Sequence, residues 1–564
     1  FRLLLENGVS VKDLPARGSE ALYSYLFHEC VRCLSPETVD FLKCSSGFEE
    51  LDPDLLQHLS GKKNVRLLLE SLTARNIFII KTSEGYYRCH TLFRTYLAGQ
   101  VEKGQGRLLQ KRAADYYLAK KQYAKAADCA IRAENRELLQ QIMLHCYKEY
   151  LQNGSFSELK KWFYALEQSG FTPSRELLIA KGAYLSSVGN FTAAILCLDA
   201  AIPSLNREED RTLYIEAMVH KARAIRNLVS FEESDKLLDE LVAGLTDFTG
   251  ELAYSVMIEK IYNQCWNSRV NEAYALTCHM VEACAQAGNL KVKAWYERYL
   301  SAIYVLMGNS RQAVYYHQKA QSLPEGERQR LALHSIDIYV AKAYQMTGER
   351  EKAVRLVESE LQALKSAGRY EELWLAYLYA AEIHYQNNFI DRANGDDKPF
   401  DLTIRYFTLA NEYAPLYRKT SYQLQWAKMQ CSITGLIFTS GPKEKLIEEI
   451  YVGLDTVPDY FKTIALARLF SYFAAVGEFS KAEACARRSI EIGKKAHLMM
   501  VPNVAYGLLA RIALGRKDYA QAAALVQRHL QLSYESGSFD YFYMKKEYGP
   551  LLEFAWQNGI EPYI

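Results

Sequence analysis

The sequence predicts an all-α fold: a superhelical array of about ten helical hairpins, preceded by a small domain that carries one β-hairpin. Three observations predict it. A short turn followed by an alanine recurs along most of the chain, at a step that settles near 40 residues. Only 13 prolines and 30 glycines interrupt 564 residues, too few for the many turns of an all-β sandwich. Of the side chains, 49% are hydrophobic, enough to bury a large core and to exclude disorder. The 41 tyrosines are an unusual excess.

The small domain spans 19–105. Ser35-Pro36-Glu37-Thr38 is a helix start: Ser35 caps, Pro36 takes the first turn and Glu37 faces the positive helix end. That helix carries Val39, Phe41 and Leu42. Asp52-Pro53 opens a second, with Leu55, Leu56 and Leu59, and Val65, Leu68, Leu69 and Leu72 mark a third. The period then changes. Ile77–Ile80 reads as a strand, Ser83-Glu84-Gly85 as a turn and Tyr86–His90 as the returning strand. Three helices followed by a β-hairpin is a winged-helix arrangement. Residues 1–105 hold 6 Lys and 7 Arg against 13 Asp plus Glu. Zero net charge disfavours direct DNA binding, which needs clustered cations to replace counterions.

From 106 to 538 the chain reads as helix. The turn and alanine recur around Tyr123, Phe156, Phe191, Phe231, Val270, Ser310 and Arg350, at intervals of 33, 35, 40, 39, 40 and 40. They return at Phe479 and Tyr519, again 40 apart, and the gap of 129 before Phe479 has room for three steps. One of those steps holds a polar insertion, Asn394–Pro399. Gly182, Ser301, Ala341 and Ala510 stand where paired helices must cross closely, and neighbouring large side chains fill the holes. The pattern resembles the tetratricopeptide repeat with a longer step.

Catalytic motifs are missing. The sequence has no P-loop, no G-x-G-x-x-G, no H-E-x-x-H and no G-x-S-x-G, so no enzyme activity is expected of this chain. Gly441-Pro442-Lys443 lacks the first glycine and the following Ser or Thr of a P-loop. Net charge is +2, which gives no overall field for nucleic acid or an anionic membrane. The 12 cysteines are scattered and read as packed thiols; Cys30-x-x-Cys33, near His28, has no second pair at zinc spacing. No apolar run approaches membrane-spanning length, and the first residue is Phe1, without a signal peptide, so the expectation is a piece of a longer cytoplasmic protein.

Several segments resemble the MalT-like regulators, bacterial signal-transduction ATPases with numerous domains (the STAND class). They are Leu34–Leu42, Leu67–Leu72 leading to Asn76-Ile77-Phe78, and above all Tyr87-Arg88-Cys89-His90-Thr91-Leu92-Phe93-Arg94-Thr95-Tyr96-Leu97. Arg112–Tyr117 and Ala126–Ala133 match that family's passage into repeats. The resemblance implies a chain order of nucleotide-binding domain, winged-helix arm, superhelical sensor and DNA-binding output, the last of LuxR type or another kind. On that order residues 1–18 end an upstream helical segment, and 539–564 form a helical segment leading to an output domain not in this chain. ATP or ADP is implied for the full-length protein, and no cofactor for this part. His90 matches the position whose imidazole touches the ADP phosphate in the wider class. The implied partners are a small-molecule inducer or an inhibitory protein, the nucleotide-binding domain of the same protein, and DNA only through the output domain. Self-association on activation is implied as well, and no membrane partner.

Setting the repeats in register places a set of side chains on the inner wall of the array: Arg223 and Arg226, then Tyr262, then Trp295 and Arg298, then Lys342 and Gln345, then Trp374, Tyr377 and His384. Aromatic faces stack on rings, and guanidinium or ammonium groups attract carboxylate or phosphate. This wall is the candidate inducer site. The competing expectation is a protein-interaction scaffold whose groove takes a peptide and no metabolite.

Overall fold

The computed structural model describes residues 27–560 apart from 83–84, 169, 268, 323–335, 367–372, 394–399, 414–428, 430–431, 434, 437–442, 458, 499 and 539–544. The expectations for 1–18 and for the insertion at 394–399 lie outside the described residues. Two compact units are present: residues 1–148 with 158–173, and residues 149–157 with 174–564.

The first unit opens with a helix over 27–32, followed by α1 (Pro36–Ser45), β1 (Glu50–Leu51), α2 (Pro53–Ser60), α3 (Val65–Ala74), β2 (Ile79–Lys81), β3 (Tyr87–Cys89) and α4 (Thr91–Ala98). Ser35 Oγ accepts from the Thr38 N–H, and Asp52 Oδ1 accepts from the Asp54 N–H at 2.9 Å, so both sequence caps form. The predicted wing is shorter than expected and gains a third strand. Glu50–Leu51 pairs antiparallel with β3, giving the order β1-β3-β2. Alternation holds: Tyr87 and Cys89 are buried and Arg88 is exposed. Phe27, Phe78 and Phe93 form a ring cluster with centroids 5.0–5.2 Å apart. Leu42, Leu51, Leu55, Leu69 and Leu97 of the same domain have essentially no exposure. This unit also holds α5 (Lys103–Ala119) and α6 (Tyr123–Arg132), most of α7 (Arg136–Gln152), and α8 (Phe156–Glu167) from Glu158 on.

The second unit is an array of hairpins. Its helices are α9 (Arg175–Ser187), α10 (Phe191–Ala201), α11 (Arg211–Leu228), α12 (Phe231–Ala243), α13 (Glu251–Trp266), α14 (Val270–Gln286), α15 (Leu290–Met307) and α16 (Ser310–Gln321). After these come α17 (Ile336–Met346), α18 (Arg350–Ser366), α19 (Leu373–Ala393), α20 (Asp401–Tyr413), α21 (Glu444–Leu454), α22 (Asp459–Ala475), α23 (Phe479–Lys495), α24 (Met500–Gly515), α25 (Tyr519–Ser536) and α26 (Lys545–Gln557). In both units, every repeat centre read from the sequence is the first residue of the second helix of its hairpin. In the gap of three steps, second helices start at Asp401 and Glu444.

One turn chemistry recurs at many of these starts. Two residues before the second helix the backbone is left-handed, with φ of 81° at Gly189, 79° at Gly308, 86° at Gly348, 81° at Gly477 and 61° at Lys517, whereas Val229 before α12 has φ of −116°. Glycine adopts that conformation without strain. The next residue caps the new helix: Asn190, Asn309 and Asp518 each accept from the backbone N–H three residues on. The crossings are close where the sequence is small. A Cβ on Gly182 would stand 2.6 Å from Leu198 Cγ, and Ser301, Ala341 and Ala510 are fully buried.

A buried polar knot ties α24 to α25. His529 Nδ1 lies 2.7 Å from Asn503 Oδ1 and 2.9 Å from Asn503 O, and Asn503 Nδ2 donates to Ser533 Oγ at 2.9 Å. Between two acceptors, Nδ1 carries the hydrogen. Burial pushes the imidazole down to about 4, against the raising effect of its bond to Asn503. A base whose folded-state pKa is depressed stabilises the fold fully above its unfolded value, near 6.5. That stability is lost as pH falls from about 6.5 towards 4, by up to about 3 kcal/mol. The melting temperature should therefore fall over that window, and His529→Gln should flatten this part of the profile. An unchanged profile in the variant would show that His529 is not the group responsible.

Candidate functional site

Seven of the ten residues read onto the inner wall lie on the first helices α11, α13, α15 and α17, and three lie on α19. The structure gathers them into groups. Arg223 and Arg226 reach from α11 to α13 and meet Glu259. Arg223 Nε and Nη2 donate to Glu259 Oε1, the former at 3.0 Å, and Arg226 Nη1 donates to Oε2 at 2.7 Å. Glu259 has no exposed surface, and the Arg226 side chain is 4% exposed. Arg226 Nη1 also donates to Asn263 Oδ1 at 2.9 Å. Asn263 Nδ2 donates to Asp235 Oδ1 at 2.7 Å, and Asp235 pairs with Arg269. The Arg226 guanidinium lies 4.2 Å over the Tyr262 ring, so Tyr262 joins this group. Burial works to discharge Arg223, but the charge and hydrogen bonds of Glu259 outweigh it and raise its pKa.

Trp295 and Arg298 sit one first helix further on and are both nearly buried. The Trp295 ring lies 5.0 Å from Tyr254, and Lys291 lies over its face at 5.0 Å. Trp295 Nε1 has no hydrogen-bond partner among the described residues. Tyr254 connects the two groups: burial raises its phenol pKa, Arg298 lowers it, and Glu259 raises it again. Tyr299 likewise feels Tyr254, Glu259 and Tyr262. The result is a buried patch of guanidinium, carboxylate, phenol and indole across α11, α13 and α15. Within it Glu259 already answers the charge of Arg223 and Arg226, and the rings of Tyr254 and Trp295 pack on each other.

The other residues form separate groups. Lys342 Nζ donates to Gln386 Oε1 at 2.6 Å, and the fully buried Gln345 donates to the Ile383 carbonyl at 3.3 Å. Trp374 and Tyr377 are 1% and 3% exposed, with Tyr377 packed on Tyr413 and Tyr406. His384 stands 5.5 Å from Tyr406 and 3.6 Å from Glu358; burial lowers its pKa, against the carboxylate.

Two features were missed in the sequence. Glu259 is the carboxylate that both arginines need; the signal was an acid directly after the apolar Val256-Met257-Ile258 of a first helix. The inner faces also touch across the array. Trp266 stacks on Phe461 at 5.5 Å and 11°, and Glu382 pairs with Arg468 at 3.5 Å.

In the first unit, His90 is exposed at the end of β3, just before α4. Its N–H donates to Phe78 O at 2.7 Å, its side chain makes no helix-capping bond, and its ring lies edge-on to Phe78 at 6.3 Å. Among the described residues no group of three His, Cys, Asp or Glu is arranged to hold a metal, and no helix is long and apolar enough to cross a membrane.

Comparison with known proteins agrees with this architecture. The MalT winged helix domain matches residues 27–109. The HTH-type transcriptional regulator MalT of Serratia proteamaculans is 24% identical over 242 residues, 41% of this chain and 26% of that protein. MalT of Vibrio cholerae is 32% identical over 127 residues, 22% of this chain and 14% of that protein. The chain thus matches about a quarter or less of these relatives' length. Among solved structures, a STAND protein with a tetratricopeptide repeat sensor from Pyrococcus horikoshii is similar, with 18% identity, TM-score 0.47, and coverage of 77% of this chain and 67% of that one. With the sequence matches and the hairpin array together, the chain is MalT-like: a MalT winged helix domain leading into a tetratricopeptide-like helical region.

Proposed function

We propose that this chain is the arm and sensor part of a bacterial STAND-class transcriptional activator that works in the cytoplasm. The array binds an inducer, and binding relieves the restraint on an ATPase module elsewhere in the same protein. The activated protein then self-associates and reaches DNA through an output domain. The carrying observation is a MalT winged helix domain that runs directly into helical repeats. The patch of Arg223, Arg226, Tyr262, Trp295 and Arg298 supports the inner wall as the ligand-binding face. An inducer acts by preferring the active state, so its effect is bounded by its difference in affinity for the two states.

Calorimetry with a panel of sugars and carboxylate metabolites tests this. For the compound that binds, Trp295→Ala and Arg298→Ala, each checked for intact helicity, should weaken affinity by about tenfold or more. Full affinity in both variants refutes this placement of the site. Binding of a peptide or protein with no metabolite response replaces it with the scaffold reading.

His90, exposed at the end of the wing, is proposed to donate to the phosphate of ADP in the resting full-length protein. His90→Ala should speed ADP release and raise basal activity. An unchanged off-rate removes that role.

A further inference from the structure

Ser310 and Ser538 are 228 positions apart in sequence, yet they meet. Ser310 opens α16 and Ser538 follows α25; their hydroxyl oxygens lie 3.3 Å apart and both residues are buried. Gly537 caps α25 with φ of 69°. A Cβ there would sit 2.8 Å from Arg311 Cβ and 3.3 Å from the Arg311 nitrogen. Glycine alone permits both that backbone approach and that φ. The Arg311 guanidinium lies 5.6 Å from the centre of the Tyr534 ring, which is more than half exposed. The array therefore returns to itself after five to six repeat steps of about 40 residues. Inside it, the Trp266–Phe461 stack and the Glu382–Arg468 pair bridge first helices that are distant in sequence.

The seam is chemically unlike the hairpin interiors. Within hairpins, large apolar side chains interlock, as Leu198 does against Gly182. Among the described residues, the seam shows two hydroxyls, a glycine and a cation–π pair. Water satisfies serine hydroxyls as well as they satisfy each other, and an exposed cation–π pair is weak. The seam contacts themselves part at low cost, whereas Trp266 and Phe461 belong to the apolar core of the array, so parting them is the costlier step.

We propose that the seam between α16 and α25 is a latch that closes one turn of the array onto the next. The array opens there and at the Trp266–Phe461 stack in one movement of intact hairpins. Whatever forces the inner faces apart biases the open state. The latch rests on contacts within the array and needs no ligand, so it stands apart from the inducer reading.

Two variants of the whole chain open the latch by different means. Ser310→Leu adds bulk at the seam without touching the left-handed cap, and Gly537→Val removes the close approach. Circular dichroism, small-angle scattering and acrylamide quenching are measured on each, with Trp266→Phe isolating the Trp266 signal. The expected result is unchanged helicity, a larger radius of gyration and a roughly twofold rise in Trp266 quenching in both. The pair Ser310→Cys and Ser538→Cys, oxidised, should lower Trp266 quenching below the wild-type value, with the single cysteine variants as controls. Wild-type scattering and quenching in both opening variants overturn the latch. Loss of helicity in both also overturns it, because the seam would then belong to one cooperative fold. Neither outcome bears on whether a metabolite binds.

Discussion

Replacing Glu259 by alanine should lower the unfolding free energy of the array by about 3–5 kcal/mol, the usual result of stripping a buried ion pair of one partner. Arg226 would be left 4% exposed with the Asn263 amide oxygen as an acceptor, and Arg223 would lose the carboxylate that keeps it charged. Glu259→Gln should cost less, because an amide oxygen still accepts one bond. The triple change Arg223→Met, Glu259→Leu, Arg226→Met should come back close to wild type, since apolar groups of similar volume replace the whole cluster without burying a charge. Urea midpoints at constant slope are the measurement. A Glu259→Ala midpoint equal to wild type would show that the two guanidiniums find water or another acceptor.

The second large effect is expected at Gly493, where α23 passes α24. A Cβ there would fall 2.1 Å from Pro502 Cγ and 3.0 Å from Cδ. A proline ring cannot rotate away, so the helices must separate. Gly493→Ala should cost about 2–3 kcal/mol and Gly493→Val more. Gly182→Ala should cost less, because the opposing Leu198 has other rotamers. Pro502→Ala in the Gly493→Ala background should restore most of the loss, since it removes the two clashing carbons and Pro502 stands in the first turn of α24. A lack of rescue would mean that the two positions do not meet as described.

The hairpins were legible because their signals are local. A left-handed residue, a capping side chain and a small residue at the crossing all lie within one repeat, so Phe191, Ser310 and Tyr519 could be marked as starts of second helices. The strand at Glu50–Leu51 was not legible; two residues carry no periodicity, and only pairing with Tyr87 and Arg88 makes them a strand. The inner wall was legible in part. Setting repeats in register listed Arg226 and Tyr262 from consecutive first helices, and these two do meet. It could not tell a ring that lines a wall from one that fills the hole between consecutive helices, and Trp374 and Tyr377 are buried to 1% and 3%. Trp266 and Phe461 were out of reach altogether, because their meeting depends on the curvature accumulated over several repeats.

The repeated turn gives the array an uneven freedom to change length. Gly189, Gly308, Gly348 and Gly477 end the first helices of their hairpins in the same conformation, so the turns inside these hairpins are nearly interchangeable. Duplication or loss of the stretch from one such turn to another before Asn309 leaves chemically equivalent turns on both sides. The same event between Gln321 and Tyr519 carries Gly537 away from Arg311 and parts Ser310 from Ser538. Recombination can therefore vary the repeat number of the first half, whereas the second half is counted out by the place where it must land.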